Sequence, residues 1–257
     1  MALQPWRIGK VIRIENETPT TRRYWIEIPE ISQFDFEPGQ FVTLDLPIHE
    51  KPNKRWRSYS IASWPDGTNV VELVIVWLEG GLGTTWLFNN VVVGSELTLR
   101  GPQGVFTLPN PIDRDLFFVC TGTGVAPFRS MAHHILNHNI AHHTINLLFG
   151  CRKFDDALYG AELKELSRQI PSFRYIACYS REEPGNYDHL VRIGYVHQAY
   201  EEICKSAMIP ANDNPDQLVI KPAYFYLCGW KNMIDEAKQR IQALGYDRKS
   251  IHQELYG

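Results

Sequence analysis

Two short segments carry groups that could hold nucleotides. Arg57-Ser58-Tyr59-Ser60 places a cation, two hydroxyls and an aromatic ring in consecutive positions between apolar strands. Those are the groups a flavin requires. The planar fork of Arg57 suits a pyrophosphate, the Tyr59 ring can lie on an isoalloxazine, and Ser60 can hydrogen-bond near its redox-active nitrogen. Further along, Thr121-Gly122-Thr123-Gly124-Val125-Ala126-Pro127 follows the apolar run Leu116 to Cys120 and opens into a helical pattern. Backbone N–H groups and the positive end of a helix favour a phosphate there. The loop is a Gly-x-Gly-x-x-Gly turn with proline in its last place, which the first helical turn accepts because that N–H has no partner anyway. Taken singly, a strand with alternating exposed residues and an ordinary glycine turn would explain both segments. Their order along one chain predicts a flavin next to a nicotinamide.

Other segments extend that chemistry. Gly80-Gly81-Leu82-Gly83-Thr84-Thr85 sets small residues before a helix start, so Gly83, Thr84 and Thr85 could offer N–H and hydroxyl donors to the same pyrophosphate. At the end of the second apolar strand of the C-terminal half, Phe149-Gly150-Cys151-Arg152 supplies an arginine where dinucleotide folds usually carry an acid for the ribose 2′-hydroxyl. Ser180 and Arg181, at the end of the third strand, add a hydroxyl and a second guanidinium. Both favour a 2′-phosphate, hence NADPH over NADH; the alternative is two surface arginines in loops. Cys228-Gly229-Trp230-Lys231-Asn232-Met233 ends a strand and starts a helix at the carboxyl edge of a sheet, where open α/β folds bind ligands. A buried structural cysteine is the alternative. His133, His134, His138, His142 and His143 include a helical i, i+4 pair, but without a His-Glu-x-x-His pattern they read as a solvated helix face rather than a metal site.

Two textures must position these groups. Up to Arg100, short β-rich runs alternate with turn clusters: 10–15, 23–28, 41–46, 57–62, 70–77 and 96–100. Six such strands predict a small antiparallel β-barrel. After Pro109-Asn110-Pro111 the pattern becomes strand–helix alternation, with strands at 116–120, 145–149, 174–179 and 223–228 and a last one at 250–255. Helices are expected over 127–138, 160–169, 196–207 and 230–244. This predicts a parallel sheet with βαβ crossovers, and hence two domains, a flavin barrel over 1–110 and an α/β nucleotide-binding domain over 111–257. Residues 209–222, rich in Pro, Asn and Asp, read as an exposed loop.

Composition narrows the field. A chain of 257 residues with 44% hydrophobic content can build both cores, and a net charge of −3 excludes a globally basic nucleic-acid binder. The basic run Lys51 to Arg57 is local. The five cysteines are dispersed, with no Cys-x-x-Cys pair and no plant-type Cys-x4-Cys-x2-Cys spacing, so neither a disulfide framework nor an iron–sulfur cluster is expected. The opening Met-Ala-Leu-Gln-Pro-Trp-Arg lacks the apolar core of a signal peptide, and no stretch approaches the roughly 18 apolar residues of a membrane span. A cytoplasmic location is expected.

Together, Pro38-Gly-Gln-Phe-Val42, Arg57 to Ser60, Gly101-Pro-Gln-Gly-Val-Phe106, Gly122 to Phe128, Cys228 to Met233 and Glu254-Leu-Tyr256 resemble the ferredoxin-NADP reductase superfamily. The resemblance spans nearly the whole chain. It implies FAD on the barrel and NADP(H) on the C-terminal domain. By it, Arg57 and Thr84 hold the FAD pyrophosphate, Tyr59 a ring face and Ser60 the N5 edge, while Val74, Ile75 and Val76 line the flavin through their backbone. Thr123 lies between flavin and nicotinamide. Cys228 and Glu254 shape the hydride-transfer site, and Tyr256 resembles the aromatic residue that covers the second flavin face, although this chain adds Gly257 beyond it. The implied activity is a monomeric FAD- and NADPH-dependent reductase of ferredoxin or flavodoxin. The same motifs fit the reductase component of a multicomponent oxygenase, a free flavin reductase, or a non-enzymatic subunit that keeps the fold.

Overall fold

The computed structural model describes residues 4–182, 190–210 and 216–256. The chain forms two compact units, Met1–Leu108 with Ala126–His138, and Pro109–Val125 with Asn139–Gly257.

In the first unit, six strands run as β1 (Trp6–Thr18), β2 (Thr21–Glu27), β3 (Phe41–Asp45), β4 (Trp56–Ser60), β5 (Val70–Val76) and β6 (Glu96–Gln103), with helix α1 (Leu82–Asn90) between the last two. They pair antiparallel throughout in the order β4-β3-β6-β1-β2-β5. The two ends of this sheet meet at an isolated bridge, Ile61↔Leu73, beside a hydrogen bond from Ala62 N to Glu72 O (2.8 Å). That contact closes the barrel expected from six alternating runs. Inward residues Val11, Ile26, Val42, Leu44, Leu73, Ile75 and Leu99 form its core, as the period of two along each strand requires. Helix α2 (Ala126–His138) belongs to this unit. Pro127 sits buried in its first turn, where a missing N–H costs nothing.

The second unit is built on β7 (Asp115–Thr121), β8 (Ile145–Cys151), β9 (Phe173–Tyr179), β10 (Val191–Ile193), β13 (Ala223–Trp230) and β14 (Ile251–Tyr256), all parallel, in the order β10-β9-β8-β7-β13-β14. Helices α3 (Gly160–Gln169), α4 (Val196–Ser206) and α5 (Lys231–Ala243) belong to its crossovers. Central strands such as β7 are buried almost throughout, which is why they read as unbroken apolar runs. The chain leaves β7 toward β8 on one side and returns to β13 on the other. Strand order therefore reverses between β7 and β13, the crevice in which such sheets take ligands.

Three short strands were not expected. The span read as a loop over 209–222 contains a two-stranded antiparallel ladder, β11 (Met208–Pro210) with β12 (Leu218–Ile220); residues 211–215 lie outside the described residues. Three-residue strands are too short to show a period. The same applies to β10.

Candidate functional site

The barrel brings the two segments expected to hold a pyrophosphate close together. Arg57 on β4 pairs with Leu44 and Tyr59 with Val42, whereas Ser58 pairs with Thr43 and Ser60 with Phe41. Alternation therefore puts Arg57 and Tyr59 on one face of β4 and both serines on the other. The sequence grouped Ser60 with Arg57 and Tyr59; the strand sends its side chain the opposite way and buries it. Thr43 donates to Gln103 (2.9 Å), so Ser58 is the donor in its 3.1 Å contact with the Thr43 hydroxyl. Tyr59 packs against the barrel core, and burial raises its phenol well above the ordinary tyrosine range, so the ring stays neutral. Arg57 donates to the backbone oxygens of Lys54 (3.1 Å) and Trp56 (2.8 Å). Among the described residues no carboxylate forms an ion pair with it.

The start of α1 closes on that guanidinium. A Cβ on Gly83 would stand 3.0 Å from Arg57 Cγ and 3.2 Å from its Nε, so a side chain there would push the arginine aside. Gly81 caps α1 with no side-chain bond, and the helical ladder begins with Thr85 N to Gly81 O (3.0 Å). The N–H groups of Leu82, Gly83 and Thr84 are the ones an α-helix cannot satisfy itself. The Thr84 hydroxyl is used locally, accepting from Leu78 N (3.1 Å) and lying 3.3 Å from Gly81 O. What Thr84 can offer an anion is its N–H. Val74 and Ile75 are buried in β5 and Val76 is half-buried at its end. A cation with no carboxylate partner among the described residues, packed against Gly83 in the first turn of a helix whose leading N–H groups have no partner within it, is chemistry that fits a diphosphate.

In the second unit, Gly122–Val125 forms a tight turn after β7 that carries Thr123. A Cβ on Gly124 would lie 2.3 Å from Cys228 O, so only glycine permits the turn to touch β13. Thr121 Oγ1 is buried at this crevice with no hydrogen-bond partner, an orphan that the polar edge of a dinucleotide would satisfy. Cys228 is flanked in the sheet by Cys120 on β7 and Glu254 on β14. Burial pushes its thiol up, the Glu254 charge adds to this, and a hydrogen bond with Tyr256 works the other way. The expected trio of Cys228, Glu254 and Tyr256 is thus brought together. Gly229 pairs with Leu255, and Met233, in the first turn of α5, packs on the core of this unit. Tyr256, opposite Trp230, also lines a cavity of about 340 Å³ with Trp230, Lys231, Asn232 and Leu255.

The ends of β8 and β9 form the third cluster. Ser180 N donates to Cys151 O and Arg181 N to Arg152 O, both at 3.0 Å, which sets the two arginines side by side. Both are exposed, and neither has an ion pair among the described residues. The Ser180 hydroxyl already donates to Cys151 O (3.3 Å). Sequence reasoning missed Glu182, whose carboxylate accepts from Phe154 N at 2.6 Å and ties the loop after β9 to the loop after β8. Its only signal was its place next to Arg181. Of the histidines expected to form a solvated helix face, His138 is exposed on α2, whereas His133 and His134 are half-buried and His133 stacks on Trp64; no cluster of metal-ligating residues exists among the described residues. No helix of the described residues is long and apolar enough to cross a membrane.

Comparison with known proteins agrees with this fold. Residues 9–108 match the oxidoreductase FAD-binding domain family and residues 118–239 the oxidoreductase NAD-binding domain family. Ferredoxin--NADP reductase B of Sorangium cellulosum is 33% identical over 250 residues, covering 96% of both chains. The glycine betaine monooxygenase reductase subunit of Chromohalobacter salexigens is 30% identical, over 99% of this chain but 66% of its own length. Among solved structures, the Amycolatopsis cytochrome P450 reductase GcoB superposes with a TM-score of 0.81 at 25% identity, over 98% of this chain and 70% of that one. A ferredoxin NADP+ reductase from Neisseria gonorrhoeae shares the fold, with a TM-score of 0.76 at 23% identity over 97% and 98% of the two chains. An FAD-binding barrel followed by a nicotinamide-dinucleotide-binding α/β unit makes this chain a flavin-dependent oxidoreductase of the ferredoxin-NADP reductase superfamily.

Proposed function

We propose that this protein is a monomeric NADPH-dependent reductase that passes electrons singly to a small soluble carrier, ferredoxin or flavodoxin. The observation that carries the NADPH preference is the paired Arg152 and Arg181, two exposed guanidinium groups without a carboxylate partner among the described residues, at the ends of adjacent strands. A 2′-phosphate is the substituent such a pair recognises. The likeness to a ferredoxin-NADP reductase across 96% of both chains supports the acceptor.

When bound, the flavin supplies the conversion of a two-electron hydride into single electrons. The protein binds and orients. Arg57 and the first-turn N–H groups of α1 hold the pyrophosphate of FAD, Tyr59 gives a ring face, and the backbone of Val74 to Val76 lines the flavin. Ser60, at the end of β4, serves the N5 edge. Thr123 and Gly124 form the turn against which nicotinamide lies, and Ser180 stiffens the 2′-phosphate corner. The raised Cys228 thiol stays protonated at neutral pH, so it shapes the hydride-transfer site as a neutral group beside Glu254. Tyr256 acts as an aromatic cover.

A second reading, the reductase component of an oxygenase system, is favoured by the 30% identical monooxygenase reductase subunit. The deciding experiment is cytochrome c reduction by NADPH, alone and with added ferredoxin or flavodoxin. Strong stimulation by either carrier supports the proposal. Equal rates without them move the assignment to an oxygenase or free-flavin role, and a colourless protein that NADPH cannot reduce would leave a non-enzymatic subunit.

A further inference from the structure

The seam that closes the barrel is its weakest join. Every other neighbouring pair of strands shares a ladder, but β4 and β5 are linked by the single bridge Ile61↔Leu73, with Ala62 N to Glu72 O alongside. Both sides of this seam lead into the flavin residues: Ala62 lies two positions beyond Ser60, and Glu72 two positions before Val74. A buried arginine spans it. Arg129 on α2 is 4% exposed, and its Nη1 donates both to Ala62 O (2.8 Å) and to the Glu72 carboxylate (2.9 Å). Glu72, 3% exposed, also accepts from Arg23 Nε on β2 (2.6 Å). Trp64 lies 5.2 Å from the Arg129 guanidinium carbon and is itself stacked on His133 of α2 (3.7 Å). One side chain therefore bonds to both sides of the seam, beside its two backbone links. It comes from outside the segment matched as the FAD-binding domain, within the segment matched as the NAD-binding domain.

We infer that Arg129 is a positioning residue of the flavin site, a clip from α2 that holds β4 and β5 at the separation the flavin needs. The inference rests on the assignment of Ser60 and Val74 to Val76 to the flavin. Flavin positioning and bulk stability are separated by the double variant. Replacing Arg129 alone leaves the buried Glu72 carboxylate with Arg23 but without its second arginine, whereas removing Arg129 and Glu72 together takes that under-compensated charge out of the core; Arg23 keeps Glu17 within 3.4 Å in either case.

The test uses the full chain, with FAD affinity measured by titration of flavin fluorescence, the visible flavin spectrum, binding of 2′,5′-ADP, and thermal unfolding. For Arg129→Leu we expect FAD to bind on the order of tenfold more weakly or worse, as misplacement of binding groups commonly costs, with a shifted flavin band and 2′,5′-ADP affinity unchanged. For Arg129→Leu/Glu72→Leu the unfolding temperature should recover while FAD affinity stays low. If Arg129→Leu does not fold, the double variant carries the test alone. Parental FAD affinity in the double variant, or in a folded Arg129→Leu, overturns the clip. Arg57→Ala is the control for the underlying assignment: if that variant retains FAD fully, the flavin-site reading fails and the clip falls with it, whereas loss of FAD there and not in the Arg129 variants removes the clip alone.

Discussion

Replacing Arg181 with Ala tests the cofactor assignment at the point where NADPH and NADH differ. The guanidinium is exposed, so a charge-assisted bond to a 2′-phosphate sits at the weak end of its range, about 1.5 kcal/mol, or roughly tenfold in affinity. Arg152 is exposed as well, and the backbone bond from Arg181 N to Arg152 O survives the substitution. Its charge therefore remains in place. Losing one of two adjacent cations should weaken binding of 2′,5′-ADP about tenfold while leaving 5′-AMP within about twofold, and the double variant Arg152→Ala/Arg181→Ala should approach a hundredfold if the two act independently. Calorimetric titration reads these values directly, and KM for NADPH should rise in parallel with KM for NADH nearly constant. Raising salt should narrow the gap, because exposed charges are screened. Equal losses for 2′,5′-ADP and 5′-AMP would refute the reasoning: the arginines would then serve the loop and not the phosphate.

Arg57→Ala should purify with little flavin, since two pyrophosphate bonds of about 1.5–3 kcal/mol each are at stake, and full FAD occupancy by absorbance would remove Arg57 from that role. The thiols should be unreactive in the native protein: Cys120 and Cys228 are pushed up by burial, Cys151 and Cys178 to about 12 and Cys204 to about 11, against an ordinary 9.0. Because the folded state holds these protons more tightly, stability should be at its full value below pH 9 and decline as pH rises past it; a thiol reagent at pH 8 should titrate five groups only after denaturation, and rapid reaction of Cys228 in the native protein would contradict its burial. Tyr256→Ser should tighten NADP+ binding several-fold and slow turnover, as expected where release is limiting; unchanged flavin spectrum, affinity and rate would mean that Tyr256 is only the end of β14.

Patterns with a period longer than the noise were legible in the chain. The alternating runs before Arg100 gave the antiparallel strands, and the solid apolar runs after Pro111 gave buried parallel ones, because exposure on one face or neither is written directly into residue order. Turn chemistry was legible for the same reason: Gly124 and Pro127 occupy positions whose steric demands few other residues meet. Facing was not. Arg57, Tyr59 and Ser60 look like one cluster in sequence, yet a strand turns consecutive residues to opposite sides, so the serine could never have shared a face with both. Three-residue strands such as β10, β11 and β12 left no period to detect.

Glu72 shows where such reading ends. In Val70-Val71-Glu72-Leu73-Val74 a lone carboxylate stands between apolar neighbours, with nothing beside it to compensate a buried charge. In the fold it is 3% exposed. A buried carboxylate is tolerable only with hydrogen-bonded cations at hand, and both of its arginines come from far along the chain, Arg23 forty-nine residues before it and Arg129 fifty-seven after. Nothing local in the sequence marks either partner. Patterning records what each residue must avoid, namely water or strain, but a long-range ion pair records what two residues need from one another. That information exists only once α2 lies against the barrel. It follows that the flavin site proposed on β4, β5 and α1 could be argued from residue types, whereas the contribution proposed for Arg129 had to wait for the structure.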